Sequence, residues 1–288
     1  MSFAALALVL AAAGLHATWN LCAKRAGGGL PFVFVVGCVI SLLYLPVVMV
    51  VLWQDPPRWN WLDVGWILGS GALKTGYSLF LQRSYRAGDF SLIYPLARGA
   101  GPLLATATAI GFLGERPSAL SLAGAGLIIT GILVITGGTA LFRSGAPQVR
   151  TAIRFGLISG VFIAAYTVWD RQGVATLEIR PLLYDACTAW TQLALLLPFA
   201  IPRWPESLHH WNTHRRYVLA VALLSPVAYV LILVAMTLAP LSSVAPAREI
   251  SILVGAFLGT HVLKEGAGRR RMFAAGIMAT GVIALALG

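Results

Sequence analysis

The chain has 288 residues, of which 58% are hydrophobic and 11% are charged. Soluble domains are roughly 45–50% apolar and about 25% charged, so these proportions exclude a soluble protein. The formal net charge of +11 does not indicate a nucleic-acid partner either, because no nucleic-acid-binding motif occurs. Most basic residues fall in short gaps between apolar segments, where Lys and Arg contact lipid headgroups and set orientation.

Ten apolar segments are long enough to span a bilayer, which takes about 20 residues for roughly 30 Å of hydrocarbon. In chain order they are 2–23, 30–53, 62–83, 89–113, 119–141, 154–173, 181–201, 215–238, 241–262 and 270–287. The first segment lacks the basic start of a signal peptide, so we expect it to be a retained helix. The sequence thus predicts an all-α polytopic membrane protein with ten transmembrane helices.

The segments form two similar halves. Three pairs of matching residues are each 150 positions apart, namely Trp19 and Trp169, Arg98 and Arg248, and Glu115 and Glu265. We therefore predict a first five-helix repeat over 1–142, a connecting loop over 143–153 and a second five-helix repeat over 154–288. Because five is an odd number of crossings, the two repeats must have opposite orientations, as in the inverted repeats of many secondary transporters.

The loops predict the orientation of the chain in the membrane. The loops that follow odd-numbered segments hold 14 Lys and Arg residues, whereas the termini and the other loops hold 4. Cytoplasmic loops carry the excess of basic residues, so this bias predicts that both termini lie outside the cytoplasm.

Five ionisable residues inside the apolar segments are the principal candidates for function. They are Lys74, Arg98, Asp170, Arg248 and Glu249. A charge at the centre of a bilayer costs from about 3 to more than 10 kcal/mol, so such residues normally face a bundle interior or an aqueous cavity. Asp170 and Glu249 are candidates for proton coupling, because intramembrane carboxylates form the proton relays of pumps and transporters.

The balance of these charges predicts an anionic substrate. Three positive charges against two negative charges leave about one positive charge uncompensated, and a bound anion would neutralise it. Arg98 and Arg248 suit a carboxylate or a phosphonate, because a guanidinium binds two oxygens at once. The alternative is that Arg98–Glu249 and a pair of Lys74 or Arg248 with Asp170 only hold helices together.

Aromatic residues near the cations are candidates for the wall of the cavity. Tyr94 lies one turn before Arg98, and Tyr77 lies three residues after Lys74, so each shares a helix face with its cation. The other aromatic candidates are Trp19, Trp169 and Tyr229. As a set they would make an apolar wall around a few polar anchors, and ordinary core packing is the alternative for each of them.

Two prolines are predicted hinges. Pro95 and Pro246 shortly precede the two arginines, and a proline within a span frees a backbone carbonyl and bends the helix. In transporters such breaks expose backbone groups to substrate. A static kink is the alternative.

No motif indicates an enzyme. The sequence has neither H-E-x-x-H nor G-x-S-x-G, and the stretch GSGALKTG lacks the spacing of a phosphate-binding loop. His16 and His261 are single imidazoles on apolar helices, a pattern that favours hydrogen-bonded core residues over metal ligands. We therefore expect no cofactor and no metal site.

The motifs LHATWNLCAKR, YPLARGAGPLL, FLGERPS and VLKEG, together with ten spans in two units, resemble the drug/metabolite transporter superfamily, specifically its EamA-type members. The resemblance covers the whole chain. It implies a cavity enclosed by spans three, four, eight and nine, with contributions from one and six, and structural roles for the two closing glutamates. For many members the resemblance implies cytoplasmic termini, whereas the loop charges of this chain predict that both termini lie outside the cytoplasm.

We expect a secondary transporter in a plasma membrane of the bacterial inner-membrane type, working by alternating access. Its expected partners are the bilayer, a small-molecule substrate and, for coupling, protons; a monomer is sufficient. The resemblance favours export, with anionic or zwitterionic, amino-acid-like metabolites as the first substrate class. A phosphonate or organophosphate permease and a lipid-carrier flippase are the alternatives, and a flippase would open a groove toward lipid.

Overall fold

The computed structural model describes residues 3–113, 118–136, 147–239, 244, 248–266 and 268–287, which are mostly α-helical and contain no strand. The helices are α1 (Phe3–Arg25), α2 (Leu30–Gln54), α3 (Trp61–Ala87), α4 (Phe90–Leu113), α5 (Ala119–Thr136), α6 (Pro147–Arg171), α7 (Pro181–Ala200), α8 (Trp204–Leu238), α9 (Ser251–Phe257) and α10 (Gly268–Leu287). Short π-helical turns, Gln172–Thr176 and Leu258–Val262, extend α6 and α9, and the 3-10 turn Ile201–Arg203 joins α7 to α8. The all-α prediction is confirmed.

Five helical stretches in the described part of the chain are long and apolar enough to cross a membrane, by length and composition. They are Phe3–Arg25, Leu30–Gln54, Ala119–Thr136, Pro147–Thr176 and Pro181–Leu238, the last of which contains both α7 and α8. The protein is therefore a multi-pass membrane protein, and the count of ten transmembrane helices stays a prediction.

Two predicted gaps between segments are largely helical. Helix α8 begins at Trp204, well before predicted span 215–238, and it kinks where His214 leaves helical backbone angles. The early part of α8 is stabilised by packing on α2, where the rings of Trp204 and Phe34 lie 6.4 Å apart. In the predicted connector 143–153, helix α6 already begins at Pro147.

Local sequence signals start several helices. Asn60 begins α3 with a capping box, in which its side chain accepts the Leu62 and Asp63 N–H groups at 2.7 and 3.0 Å and Asp63 accepts the Asn60 N–H at 2.9 Å. Pro31 and Pro181 occupy the first turns of α2 and α7, where no intrahelical N–H bond is lost.

Helix α4, which carries Arg98, is anchored by a residue far along the chain. The Glu265 carboxylate accepts the N–H groups of Phe90 and Ser91, at 2.7 Å each. Both donors are among the first N–H groups of α4, which have no partner inside the helix. Glu265 thus has the structural role implied for the closing glutamates, and its counterpart Glu115 lies outside the described residues.

Basic side chains join the ends of several helices at what we call the basic end of the bundle, where α1 and α3 end and α2 and α4 begin. Lys24 donates to the carbonyl groups of Tyr85 and Gly88 at the end of α3, at 2.5 Å each. Arg86 donates to the Gly28 carbonyl at 2.6 Å, and Gly28 has a φ of 57° that favours glycine. These bonds hold the end of α1 and the loop before α2 against the end of α3.

Helices of one half pack on helices of the other half, and the main contacts have equivalents in which the two halves are exchanged. Helix α1 packs along α8, and its counterpart α6 packs along α3. In the same way α2 contacts α8 while α7 contacts α3, and the equivalent helices α5 and α10, α2 and α7, and α4 and α9 contact each other. A two-fold axis that relates two repeats produces this pattern of contacts.

Candidate substrate-binding site

A cavity of about 120 Å³ lies inside the bundle, between α1, α2, α3, α4, α6, α7 and α8. Its polar wall residues include His16, Lys74, Ser78, Arg98, Asp185, Thr188 and Gln192, and its aromatic wall residues include Trp19, Tyr77, Tyr166 and Tyr229. A cavity of roughly 150 Å³ holds a molecule as large as benzene. The cavity is therefore somewhat smaller than one that holds benzene.

A second cavity adjoins the first on the side of the basic end, and aromatic rings pack together on the opposite side. A second cavity of about 90 Å³ shares Tyr77 and Gln192 with the first and extends to Gln82, near the end of α3. Toward the opposite end, the rings of Trp66 and Trp169 lie 4.0 Å apart, and the Trp169 indole donates to the Trp66 carbonyl at 2.8 Å. This contact packs α3 and α6 together on the side of the bundle away from the basic end.

Arg98 and Arg248, which we call the arginine pair, share a single carboxylate. Arg98 Nη1 lies 3.6 Å and Arg248 Nε lies 3.2 Å from Oε1 of Glu249. Arg248 Nη2 also donates to the Thr167 hydroxyl at 3.3 Å. The exposed fractions of Arg98, Arg248 and Glu249 are 4%, 2% and 0%, so all three charges are buried.

The arginine pair is incompletely satisfied. Arg98 Nη2, Arg248 Nη1 and Glu249 Oε2 are buried and have no hydrogen-bond partner among the described residues. A buried polar atom without a partner costs about 1–3 kcal/mol, and such groups in a native structure require an explanation. Arg98 lines the cavity, whereas Arg248 and Glu249 lie behind its wall.

Lys74, Asp170 and Asp185, which we call the lysine cluster, are by contrast fully engaged. Lys74 Nζ lies 3.3 Å from Asp170 Oδ2 and 3.1 Å from Asp185 Oδ1, and it donates to the Thr188 hydroxyl at 3.0 Å. Nζ also lies 4.2 Å from the centroid of the Tyr229 ring, within the range of a cation–π contact. The cluster joins α3, α6 and α7.

Tyrosine hydroxyl groups complete the lysine cluster. Tyr184 and Tyr229 donate to the two oxygens of Asp170, at 3.0 and 2.5 Å, and Tyr44 donates to Asp185 at 2.6 Å. Each carboxylate oxygen therefore has a partner. A buried ion pair is tolerated when hydrogen bonds satisfy its remaining lone pairs.

The predicted charge balance is wrong in its total. Asp185 is a third buried carboxylate, so three cations face three anions across the two clusters. The distribution is nevertheless uneven, because the arginine pair has two cations for one carboxylate and the lysine cluster has one cation for two carboxylates. One excess positive charge and one excess negative charge thus lie in separate places.

The structure brings three of the predicted aromatic residues to the cavity wall. Tyr77, Trp19 and Tyr229 line it, and Tyr77 packs edge-to-face on Tyr166 with centroids 5.4 Å apart. Trp169 does not line the cavity, because it packs on Trp66 over Gly69, where a side chain would overlap its ring.

Tyr94 lies behind the cavity wall. Its ring packs on Phe90 with centroids 5.1 Å apart and against Gly255, which leaves the space that the ring fills. The Arg98 guanidinium lies 5.8 Å from the Tyr94 ring centroid, so Tyr94 supports the arginine, as their shared helix face predicts. The Tyr94 hydroxyl is buried without a partner among the described residues.

The predicted hinges are not tested by the backbone. Helix α4 remains helical through Pro95, so a hinge at that position stays a prediction. Pro246 lies outside the described residues. Arg248 and Glu249, placed inside a span by the sequence, lie just before α9, and the turn residues Glu249 and Ile250 lead into that helix.

Sequence reasoning missed two ionisable wall residues. Asp185 lies near the start of predicted span 181–201, and its position within an apolar segment is the same signal that identified Asp170. His16, interpreted as a core residue, does hydrogen-bond to a neighbour but also lines the cavity. Hydropathy cannot show which helix face a residue occupies, so it could not have identified His16.

Comparisons with known proteins agree with this architecture. The model of the EamA-like transporter family matches the chain twice, over residues 3–137 and 150–287. No curated protein matches the chain. A solved crystal structure, described only as that of a protein, is 17% identical and aligns with 99% of this chain and 96% of its own length, with a TM-score of 0.62, which is a likeness of fold.

Proposed function

Because the chain belongs to the EamA-like transporter family, we propose that it is a secondary transporter that moves small anionic or zwitterionic organic metabolites across the plasma membrane. The observation that carries the proposal is the arginine pair, two buried cations that share one carboxylate and retain unpaired donors. Arg98 lines the cavity, so its unpaired Nη2 belongs to a group that a solute in the cavity can contact.

A carboxylate bound at the arginine pair would neutralise its excess charge and satisfy donors that the chain leaves unpaired. Hydrogen bonds to charged groups contribute about 1.5–3 kcal/mol each, and a guanidinium offers two parallel donors to a carboxylate. Binding at this position would therefore offset both the excess charge and the unpaired donors of the arginine pair.

An amino-acid-like zwitterion is the first substrate class, because the wall also offers a negative partner. Asp185 lines the same cavity as Arg98, and the lysine cluster carries one excess negative charge. A substrate ammonium group near Asp185 and a carboxylate near Arg98 would compensate both excesses. The small volume of about 120 Å³ favours a short molecule of this kind.

The packing of the two halves supports alternating access as the mechanism. The exchanged contacts of α1 with α8 and α6 with α3 are those of symmetry-related repeats, and inverted repeats rock about a central site. With both termini outside the cytoplasm, the basic end would face the cytoplasm. The continuation of the cavity toward Gln82 would then be the cytoplasmic entrance used in export.

We propose Asp170, rather than Glu249, as the residue that couples transport to protons. At the lysine cluster a proton and a substrate ammonium would compete for the same excess negative charge, and such competition gives exchange, which drives export. Protonation of Glu249 would instead increase the positive excess at the arginine pair and favour cotransport with an anion. Asp170→Asn should abolish the pH dependence of transport, and an unchanged pH dependence would contradict this assignment.

A phosphonate or organophosphate permease is the second candidate, because the same donors of the arginine pair suit a phosphonate. The two candidates are separated by paired probes of equal chain length. β-Alanine and 2-aminoethylphosphonate both carry an ammonium group, and they differ in the anionic group.

The test is transport by purified protein in proteoliposomes, with glycine, β-alanine, L-serine, 2-aminoethylphosphonate and phosphoethanolamine as probes. Arg98→Gln should raise KM for each transported probe about 10- to 100-fold, because it removes a charged donor. Arg83→Gln is the matched control, since Arg83 is an exposed arginine on α3 that stacks 5.6 Å from the Phe80 centroid. Wild-type KM values in Arg98→Gln for every transported probe would overturn the proposal.

A further inference from the structure

His16 has a fixed tautomer. Its Nδ1 lies 3.0 Å from Nε1 of Trp19, and an indole N–H can only donate, so Nδ1 must accept. An imidazole whose Nδ1 accepts is neutral and carries its proton on Nε2. The Asn20 side chain holds this turn of α1 in place. Its Nδ2 donates to the His16 carbonyl at 2.8 Å, and its Oδ1 accepts from the Tyr85 hydroxyl at 2.9 Å.

The Nε2–H of His16 is an unpaired donor beside the cavity. His16 is 6% exposed and lines the cavity together with Arg98, and its Nε2 has no partner among the described residues. Two other donors at the wall are engaged, since Lys74 has three partners and Tyr229 donates to Asp170. Arg98 Nη2 and His16 Nε2–H are therefore wall donors that remain for a ligand.

We propose that His16 is a substrate-binding residue, whose neutral Nε2–H donates to the anionic group of the substrate beside Arg98, and that Trp19 is the positioning residue that sets its tautomer. This inference rests on the proposed function and specifies the substrate further. The arginine pair supplies one excess positive charge, and His16 adds a donor without adding charge.

The combination of one excess charge and one neutral donor selects a singly charged anionic group. A carboxylate carries one negative charge at neutral pH, whereas a phosphate monoester carries about −1.5 to −2. The site thus neutralises a carboxylate and leaves part of the charge of a phosphate monoester buried and uncompensated. β-Alanine should be preferred over phosphoethanolamine, which has the same ammonium arm.

The alternative is that His16 only holds α1 in place through Trp19. Two amide variants separate these roles. A Gln side chain at position 16 can place an N–H near the position of Nε2, whereas an Asn side chain is too short to do so. Both are polar and both change the contact with Trp19, so a purely structural role would not distinguish them.

The experiment measures β-alanine transport kinetics in proteoliposomes for the wild type, His16→Asn, His16→Gln and Trp19→Phe, together with melting temperatures. We expect His16→Asn to raise KM about 10-fold or more and His16→Gln to stay within about 3-fold of the wild type. Trp19→Phe releases the tautomer and should raise KM by about 3-fold. Equal KM values for His16→Asn and the wild type would overturn the role of His16.

A second measurement uses the unmodified chain, in case a variant does not fold. The protein has five His residues, and with ¹⁵N-labelled His the Nε2–H resonance of residue 16 should shift when β-alanine saturates the protein. No shift would overturn the inference. If Arg98→Gln impairs transport and the His16 variants do not, the proposed function stands and the role of His16 is overturned. If Arg98→Gln has wild-type kinetics, the proposed function and the role of His16 are both overturned. A wild type that prefers phosphoethanolamine to β-alanine would overturn the specificity for a single charge.

Discussion

The lysine cluster and the arginine pair are both buried in the membrane-spanning bundle, yet they differ in how completely they are satisfied. Lys74 has two carboxylates and a hydroxyl within bonding distance, and tyrosines occupy the remaining oxygens. Arg98 and Arg248 share one oxygen of Glu249 and leave buried donors unpaired. The lysine cluster is therefore held together by its own partners, whereas the arginine pair keeps a donor at the cavity wall, on Arg98, that a bound anion can use.

The largest expected effect comes from removing the centre of the satisfied cluster. Lys74→Met leaves Asp170 and Asp185 buried without their cation, and breaking a buried pair in this way costs about 3–5 kcal/mol. The melting temperature in detergent should therefore fall strongly. Arg98→Met should cost less, because Arg248 remains beside Glu249.

The control for this difference is the double variant Lys74→Met/Asp185→Asn. It removes a cation and one carboxylate together, so its melting temperature should lie above that of Lys74→Met alone. Equal losses of stability in Lys74→Met and Arg98→Met would contradict the distinction between the two clusters.

A smaller effect is expected when the charge of the arginine pair is increased. Glu249→Gln removes the shared carboxylate and raises the excess charge from one to two. The ratio of phosphoethanolamine to β-alanine uptake should then increase about 10-fold, because an additional unit charge at close range contributes well over 1 kcal/mol. Competition assays in proteoliposomes measure this ratio, and a ratio equal to that of the wild type would show that Glu249 does not set the charge of the site.

The next effect concerns Trp169, which was predicted to line the cavity and packs on Trp66 instead. Trp169→Phe deletes one hydrogen bond to Trp66, which is a loss of about 0.5–1.5 kcal/mol. We expect a modest fall in melting temperature and no change in KM for β-alanine. A KM increase as large as that of His16→Asn would return Trp169 to the binding site.

The smallest effect is expected at the surface. Arg180 and Asp55 form an ion pair whose side chains are 45% and 66% exposed, and exposed pairs contribute about 0–1 kcal/mol. Asp55→Asn should leave both the melting temperature and transport close to wild type. A large change would mean that this pair closes the end of the bundle opposite to the basic end.

The sequence alone predicted part of the site. It offered the pairs Arg98–Glu249 and Lys74–Asp170, which lie 3.6 and 3.3 Å apart in the structure, but it missed Asp185 and His16. The scarcity of charge in apolar segments identified Lys74, Arg98, Asp170, Arg248 and Glu249, because each is expensive at membrane depth. Which cation meets which carboxylate depends on helix rotation and on contacts between residues more than 100 positions apart, such as Lys74 with Asp185. Composition does not show which helix faces meet, so the pair of Lys74 with Asp185 and the sharing of Glu249 by both arginines were not predicted.

Two further predictions differ from the structure because contacts between distant residues are not visible in the sequence. Trp169 has the position in its repeat that Trp19 has in the other, and this symmetry predicted equal roles. The structure places Trp19 at the cavity and Trp169 on Trp66, so the two repeats have diverged in detail while keeping their packing. The polar stretch from Trp204 to His214 resembled a loop because of its composition, although packing of Trp204 on Phe34 stabilises a helix there.

The most direct test of the uneven charge distribution is the equilibrium binding of labelled β-alanine to three purified proteins. Glu249→Gln, the wild type and Arg98→Gln carry two, one and no excess positive charges at the arginine pair. We predict that Kd increases in that order, with a step of about 10-fold or more between the wild type and Arg98→Gln. The same Kd for all three proteins would contradict binding of the substrate anion at the arginine pair.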